Sequence, residues 1–234
     1  MSWTETLHRD ADALAESVAG TLEAAVRTGL AERGRAVLAL AGGRTPFPVY
    51  RRLAQASLDW SRVLLLPTDE RWVDQDHPAC NAREMRAAFA AAGDVTVLSL
   101  TPESAGLFAS PRWAETMLAT LADPFDAVLL GMGADGHFAS LFPGAAELAA
   151  GLDPDGPADV LVVHPDPLPP EAPYARVSLS AARLLRTQRL LLAATGAAKR
   201  AVLDRAEARP DPLTLPISAL LHDTAAQVEI HWSP

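Results

Sequence analysis

Asp135 and His137 stand two positions apart in Leu129-Leu130-Gly131-Met132-Gly133-Ala134-Asp135-Gly136-His137-Phe138-Ala139-Ser140-Leu141-Phe142-Pro143. A carboxylate beside an imidazole can orient it and move protons near neutral pH. Gly131, Gly133 and Gly136 let the backbone turn and let a ligand approach its N–H groups. The apolar run from Asp126 to Leu130 reads as a buried strand, so the loop leaves a strand's carboxyl end, where α/β sheets bind ligands. A tight strand-to-helix turn with polar caps has the same composition, so the stretch alone leaves both readings open.

Three more strand ends carry polar groups. The run 36–41 is followed by Gly42-Gly43-Arg44-Thr45-Pro46 and a helix through about residue 57, a pattern that can cradle a phosphate on free N–H groups. A Gly-Gly turn with Thr45 as helix cap is the plainer reading. The run 63–67 leads into Thr68-Asp69-Glu70-Arg71. Asp69 there can act on a proton and Arg71 can hold an anion in bidentate geometry, or the two can form an internal ion pair. Asn81, opening a helix that reaches about residue 92, is a cap or a substrate contact. The strand 189–194 runs into Thr195-Gly196-Ala197-Ala198-Lys199, and Arg176 opens the alternating segment 175–179. Lys199 is the one lysine beside 19 arginines, and a compact ammonium is not equivalent to a planar guanidinium at a close contact.

These groups need a frame. Leu7, Ala11, Leu14, Val18, Leu22 and Val26 recur at helical spacing and predict a helix over 4–29, with His8 on the surface. Further strands are expected at 95–98, 160–163 and 228–232, and helices at 111–122, 138–142, 181–185 and from 196 to about 208. A Pro-punctuated stretch from 210 ends in a short helix near 221. Residues 165–170 form an extended, Pro-rich loop, and His164 before it is structural. Cys80 is a small filler. The βα alternation predicts a three-layer α/β/α Rossmann-like sandwich with a mostly parallel central sheet, one domain over 1–234. Strand ends on one edge of such a sheet converge, which would put Gly43, Thr45, Arg71, Arg176 and Lys199 around an anion and Asp135 with His137 beside it.

Composition narrows the classes. Nearly half of the 234 residues, 49%, are hydrophobic, enough for a large core, yet no run reaches the about 18 apolar residues of a membrane span. The polar, acidic N-terminus is unlike a signal peptide, so a cytoplasmic protein without membrane association is expected. One cysteine excludes an internal disulfide. A net charge of −9 argues against nucleic-acid binding and requires any anionic substrate to meet a local cluster of cations.

Leu40-Ala-Gly-Gly-Arg-Thr-Pro46, Thr68-Asp-Glu-Arg-Trp-Val73, Cys80-Asn81, the block from Leu130 to Pro143, Arg176-Val-Ser178 and Gly196-Ala-Ala-Lys199 follow in an order that resembles the 6-phosphogluconolactonases, in a superfamily shared with glucosamine-6-phosphate isomerases (deaminases). The resemblance runs from about residue 36 to 205. It implies a Rossmann-like domain, hydrolysis of 6-phospho-D-glucono-1,5-lactone in the oxidative pentose phosphate pathway, and no cofactor or metal. It implies that Gly43, Arg44 and Thr45 form the phosphate loop, that Asp69 and Asn81 belong to the substrate site, that Arg71, Arg176 and Lys199 bind the anion, and that His137 is catalytic with Asp135 as its acidic neighbour. The family loop usually reads Ser-Gly-Gly-Ser-Thr-Pro, and here Ala41 and Arg44 replace the two serines. The isomerases carry a Glu five residues beyond the His, where this chain has Phe142, which favours lactone hydrolysis.

On this reading His137 is a general base on water and backbone N–H groups of 131–136 stabilise the oxyanion. No second His stands at metal-ligand spacing from His137. The partner is a small sugar-phosphate lactone, and the chain acts as a monomer or small homo-oligomer. The rival readings are a glucosamine-6-phosphate deaminase and a non-catalytic sugar-phosphate sensor.

Overall fold

The computed structural model describes residues 3–167, 173–224 and 227–234. In chain order the elements are β1 (Trp3–Leu7), α1 (Ala11–Arg33), β2 (Ala36–Leu40), α2 (Phe47–Leu53), β3 (Val63–Pro67), β4 (Asp69–Arg71), α3 (Asn81–Ala88), β5 (Thr96–Val97), α4 (Arg112–Leu118), β6 (Ala127–Leu130), α5 (Leu148–Leu152), β7 (Val160–Val163), β8 (Arg176–Leu179), α6 (Ala181–Leu185), β9 (Leu190–Thr195), α7 (Ala197–Ala208), α8 (Ile217–Leu221) and β10 (Val228–Ser233).

Seven strands form one sheet in the order β1-β10-β9-β6-β2-β3-β5, every neighbouring pair parallel. Period-two alternation sorts its side chains onto two faces. Leu38, Leu40, Leu129 and Leu191 pack against α1, α2 and α3. Val37, Ala39, Val128, Leu130 and Leu192 pack against α4, α6, α7 and α8 on the opposite face. Both faces are covered, so the central strands read as continuous apolar runs, and the architecture is the expected three-layer sandwich. A second, antiparallel sheet, β4-β8-β7, grows from the end of β3, with Asp69 opposite Ser178 and Arg71 opposite Arg176.

Three local expectations are corrected. Residues 4–7 belong to an edge strand, not to the first helix. The apolar spacing runs through Asp10, but the Asp10 carboxylate accepts from the Ala13 N–H at 2.7 Å and starts α1 there. Leu7, counted as the first core position, is 65% exposed. Residues 138–142 are not helical. Phe138 bridges Leu141, and Ala139 sits at φ 47, a left-handed conformation that a right-handed helix cannot contain. His8 is half-buried rather than on the surface, its ring stacked on His231 with Nε2 3.0 Å from Nδ1 of His231. Of the extended loop expected at 165–170, residues 168–170 lie outside the described residues. His164 Nδ1 lies 3.2 Å from Glu147 Oε1. Among the described residues no helix is long and apolar enough to cross a membrane.

The His8–His231 contact has a thermodynamic consequence. His231 is 5% exposed, and burial, reinforced by the neighbouring His8, pushes its pKa down to about 4. The unfolded chain takes up that proton near pH 6.5, the native state only near pH 4, so the contribution to stability is present above about pH 6.5 and is lost as pH falls through this window. Denaturant unfolding is expected to lose about 2–4 kcal/mol more between about pH 6.5 and 4 in the wild type than in His231→Asn. Equal pH slopes in the two proteins would refute the assignment.

Candidate functional site

The parallel sheet delivers four chain segments to one edge. At the end of β2, Ala41 N–H donates to the Leu129 carbonyl at 2.8 Å, and the Tyr50 hydroxyl donates to the Ala41 carbonyl at 2.6 Å. The loop then passes over Gly42 and Gly43. Gly43 has φ 95, which favours glycine, and a Cβ at Gly42 would lie 2.3 Å from Asn81 Oδ1. Among the described residues the N–H groups of Gly42, Gly43 and Arg44 meet no internal acceptor.

β4 supplies the floor. Asp69 and Arg71 line the crevice, while Glu70 points the other way and is fully buried. Its carboxylate accepts from Arg71 N–H at 2.8 Å, Asn81 N–H at 2.7 Å and Ala82 N–H at 2.8 Å. Burial raises its pKa, and these bonds pull it back in part. Glu70 thereby caps α3, whose own N-cap, Cys80, makes no side-chain capping bond. Asn81, 2% exposed, donates Nδ2 to the Asp69 carbonyl at 2.7 Å, and Arg71 donates to the Ala79 carbonyl at 2.8 Å. Burial and the Glu70 charge push the Cys80 thiol up to about 11, so it is an inert filler as expected.

The glycine loop supplies the wall. His137 Nδ1 lies 2.6 Å from Asp135 Oδ1. A carboxylate only accepts, so Nδ1 carries the proton and Nε2 keeps its lone pair. Burial raises the Asp135 pKa, but its hydrogen bonds with His137 outweigh this and hold it below the usual carboxylate range. A Cβ at Gly133 would meet the His137 ring at 2.3 Å, and the Phe142 ring lies 4.3 Å from it on centroids. The loop is tied down by Gly133 N–H to the His137 carbonyl at 2.9 Å and Ile217 N–H to the Gly136 carbonyl at 2.9 Å. Ser140 Oγ donates to Asp69 Oδ2 at 2.6 Å, and Ser140 N–H donates to Ser178 Oγ at 3.1 Å.

Lys199 stands in the first turn of α7, after Gly196 at φ 89. It is half-buried, and burial followed by the charge of Arg44 lowers its pKa. Thr45 and Thr195 bring their hydroxyls to 3.5 Å. The crevice holds about 650 Å³ including its open mouth.

Of the residues singled out in the sequence, Gly43, Arg44, Thr45, Asp69, Arg71, Asn81, His137 and Lys199 line this one crevice. Asp135 stands behind His137, outside the lining. Arg176 is also outside it: 3% exposed, it donates to the Tyr174 carbonyl at 2.5 Å and sits within the charge field of Asp69 and Arg71. Two of the N–H groups expected to face an oxyanion, those of Gly133 and Gly136, are bonded within the loop. Glu70, Ser140 and Ser178 were missed. The one signal for Glu70 was a helix opening at Asn81 without a capping side chain of its own. Among the described residues no three His, Cys, Asp or Glu side chains gather as a metal set.

The family model for glucosamine-6-phosphate isomerases/6-phosphogluconolactonase matches residues 9–232. A 6-phosphogluconolactonase of Caulobacter vibrioides is 40% identical over 223 residues, 94% of this chain and 93% of that protein. The crystal structure of a 6-phosphogluconolactonase from Shewanella baltica superposes with a TM-score of 0.90 at 30% identity, over 99% of this chain and 97% of that one. A monomeric glucosamine-6-phosphate deaminase has a TM-score of 0.79 at 22% identity, over 100% and 97% of the chains, so the fold is common to both activities and does not choose between them. On the family match and the Caulobacter relative, this chain belongs to the glucosamine-6-phosphate isomerase/6-phosphogluconolactonase family.

Proposed function

We propose that the chain hydrolyses 6-phospho-D-glucono-1,5-lactone to 6-phospho-D-gluconate, the hydrolytic step of the oxidative pentose phosphate pathway. The observation that carries the reading is one crevice with an Asp-oriented imidazole on one wall and the cations Arg44 and Lys199 on another. The Gly42-to-Thr45 loop, Arg44 and Lys199 hold the phosphate, and Arg71 adds a guanidinium to the floor. The lactone carbonyl C1 then lies toward His137.

Nε2 of His137 takes a proton from water as the water oxygen bonds to C1. Asp135 keeps the ring in the required tautomer and supports the imidazolium. As the tetrahedral intermediate collapses, the C1–O5 bond breaks and His137 returns the proton to the ring oxygen, giving the open-chain acid. Arg176 works from behind the floor, balancing the charge of Asp69, rather than as a substrate ligand. Asn81 acts through the Asp69 carbonyl and Gly42. Phe142 packs on His137 and offers no carboxylate for ring opening or for moving a carbon-bound proton, which favours hydrolysis over isomerisation. We also infer a single-domain cytoplasmic enzyme, monomeric or a small homo-oligomer, with neither nucleic acid nor membrane as partner. An acidic chain with one buried cysteine supports that setting.

The test is a lactonase assay on purified protein, corrected for spontaneous hydrolysis, beside an assay of glucosamine 6-phosphate turnover. Lactone hydrolysis without deamination is expected, and the reverse pattern would refute the proposal. His137→Ala is expected to lower kcat by about 10²–10⁴-fold with little change in KM, and near-wild-type turnover would remove His137 from its role. Gly133→Ala, whose Cβ would strike both His137 and Asp135, is expected to cost at least about tenfold in kcat while the thermal midpoint falls only slightly. An unchanged kcat would show that the pair is not held by that approach.

A further inference from the structure

The turn at 138–141 brings two rings together. Phe138 and Leu141 form an antiparallel bridge, with Leu141 N–H donating to the Phe138 carbonyl at 3.0 Å. The next pair outward in that register is His137 with Phe142, which makes them neighbours across the turn. Their ring centroids are 4.3 Å apart and the planes are tilted by 42°, at the near end of the spacing of aromatic pairs. A helix over the same residues would turn Phe142 about 140° away from His137 around its axis. Ala139, left-handed at φ 47, lets the chain double back, and Ser140 pins the turn through Asp69 and Ser178. Phe142 also packs against the buried core, so its ring is held against the imidazole.

We propose that Phe142 is a positioning residue whose ring stabilises the positive charge that His137 takes up when it accepts the proton of water. The inference rests on the functional reading above and deepens it. The face of a phenyl ring carries negative potential, and a cation within about 6 Å of its centroid is attracted to it. Imidazolium is such a cation and neutral imidazole is not, so the contact strengthens as the proton arrives. The charged surroundings make that help useful. Asp135 meets His137 at Nδ1, while Asp69 in the crevice lining is engaged by Ser140. The other charged groups of the lining are the cations Arg44, Arg71 and Lys199, which oppose a further positive charge. A phenyl face attracts the imidazolium without taking up a proton itself.

The test replaces Phe142 by phenylalanines carrying one, two and three ring fluorines, which deplete the negative face at nearly constant shape. Phe142→Leu, which removes the ring, stands beside them. The titration of the His137 ring is followed by NMR in the protein without substrate, and kcat and KM are measured in the lactonase assay. With each fluorine the His137 titration midpoint is expected to move to lower pH, up to about a two- to fivefold loss of proton affinity over the series. The kcat is expected to fall in the same order with KM unchanged, and Phe142→Leu to match the most fluorinated protein. Wild-type midpoints and kcat throughout the fluorinated series would overturn the proposal even with Phe142→Leu impaired, because packing alone would then be lost. A falling midpoint at constant kcat would overturn it as well, since the charge would be felt but not used in the reaction. Failure of the wild type to accelerate lactone hydrolysis would instead sink the functional reading, and the titration still decides whether the two rings interact as proposed.

Discussion

The hydrogen bond from Ser140 Oγ to Asp69 Oδ2, 2.6 Å long and buried, is the joint on which the crevice depends. It fastens the glycine loop carrying His137 to the small sheet carrying Arg71. Asp69 is bound from its other side too, its carbonyl accepting from Asn81, whose amide lies against Gly42. One carboxylate residue thus touches the supports of the His137 wall and of the Gly42–Gly43 loop. A buried Asp left without its hydroxyl donor would cost about 1–3 kcal/mol or more, so the joint sits in a deep energetic well. Ala139 at φ 47 is strained backbone next to it, held because Phe138 and Leu141 are fully buried on either side and Ser140 is bonded twice.

Electrostatics divides the crevice by burial. On the His137 side every charge has a near partner, so the imidazole meets a fixed dipolar frame. On the Lys199 side Arg44 and Lys199 line the crevice with no carboxylate at ion-pair distance among the described residues. In a chain of net charge −9 the carboxylates near the crevice are engaged by Ser140 and His137. Glu70 carries the same economy further. Pointed away from the crevice, it spends its charge on three backbone N–H groups and sets the angle at which α3 presents Asn81.

Much of this was legible in the chain. The apolar runs from Ala36, Val63, Asp126 and Arg189 mark buried parallel strands, because strands covered on both faces cannot alternate. Glycines and polar residues directly after them mark the binding edge, because loops at carboxyl ends are where a parallel sheet leaves backbone N–H groups free. Eight of the ten candidate residues meet in one crevice for that reason. The errors have physical causes as well. Helical spacing at Leu7 and Ala11 is a local pattern, and it was outvoted by Asp10 capping α1 and by β10 offering an edge to β1. The turn at 138–141 is held by bonds to Asp69 and Ser178, far away in sequence, which no local window contains.

By itself, then, the sequence determined the alternation of elements, the sheet class, the glycine turn after β2 and the neighbouring Asp135 and His137, because each depends on residues within a few positions of one another. Tertiary structure alone decided which of these groups line the crevice. It left Arg176 and Asp135 outside the lining, gave Glu70 a helix to cap, and brought Arg44 and Lys199 to one crevice across 155 residues of chain. Those outcomes rest on cross-strand register and on which buried polar group finds which partner, and both are properties of the packed molecule rather than of any stretch of it.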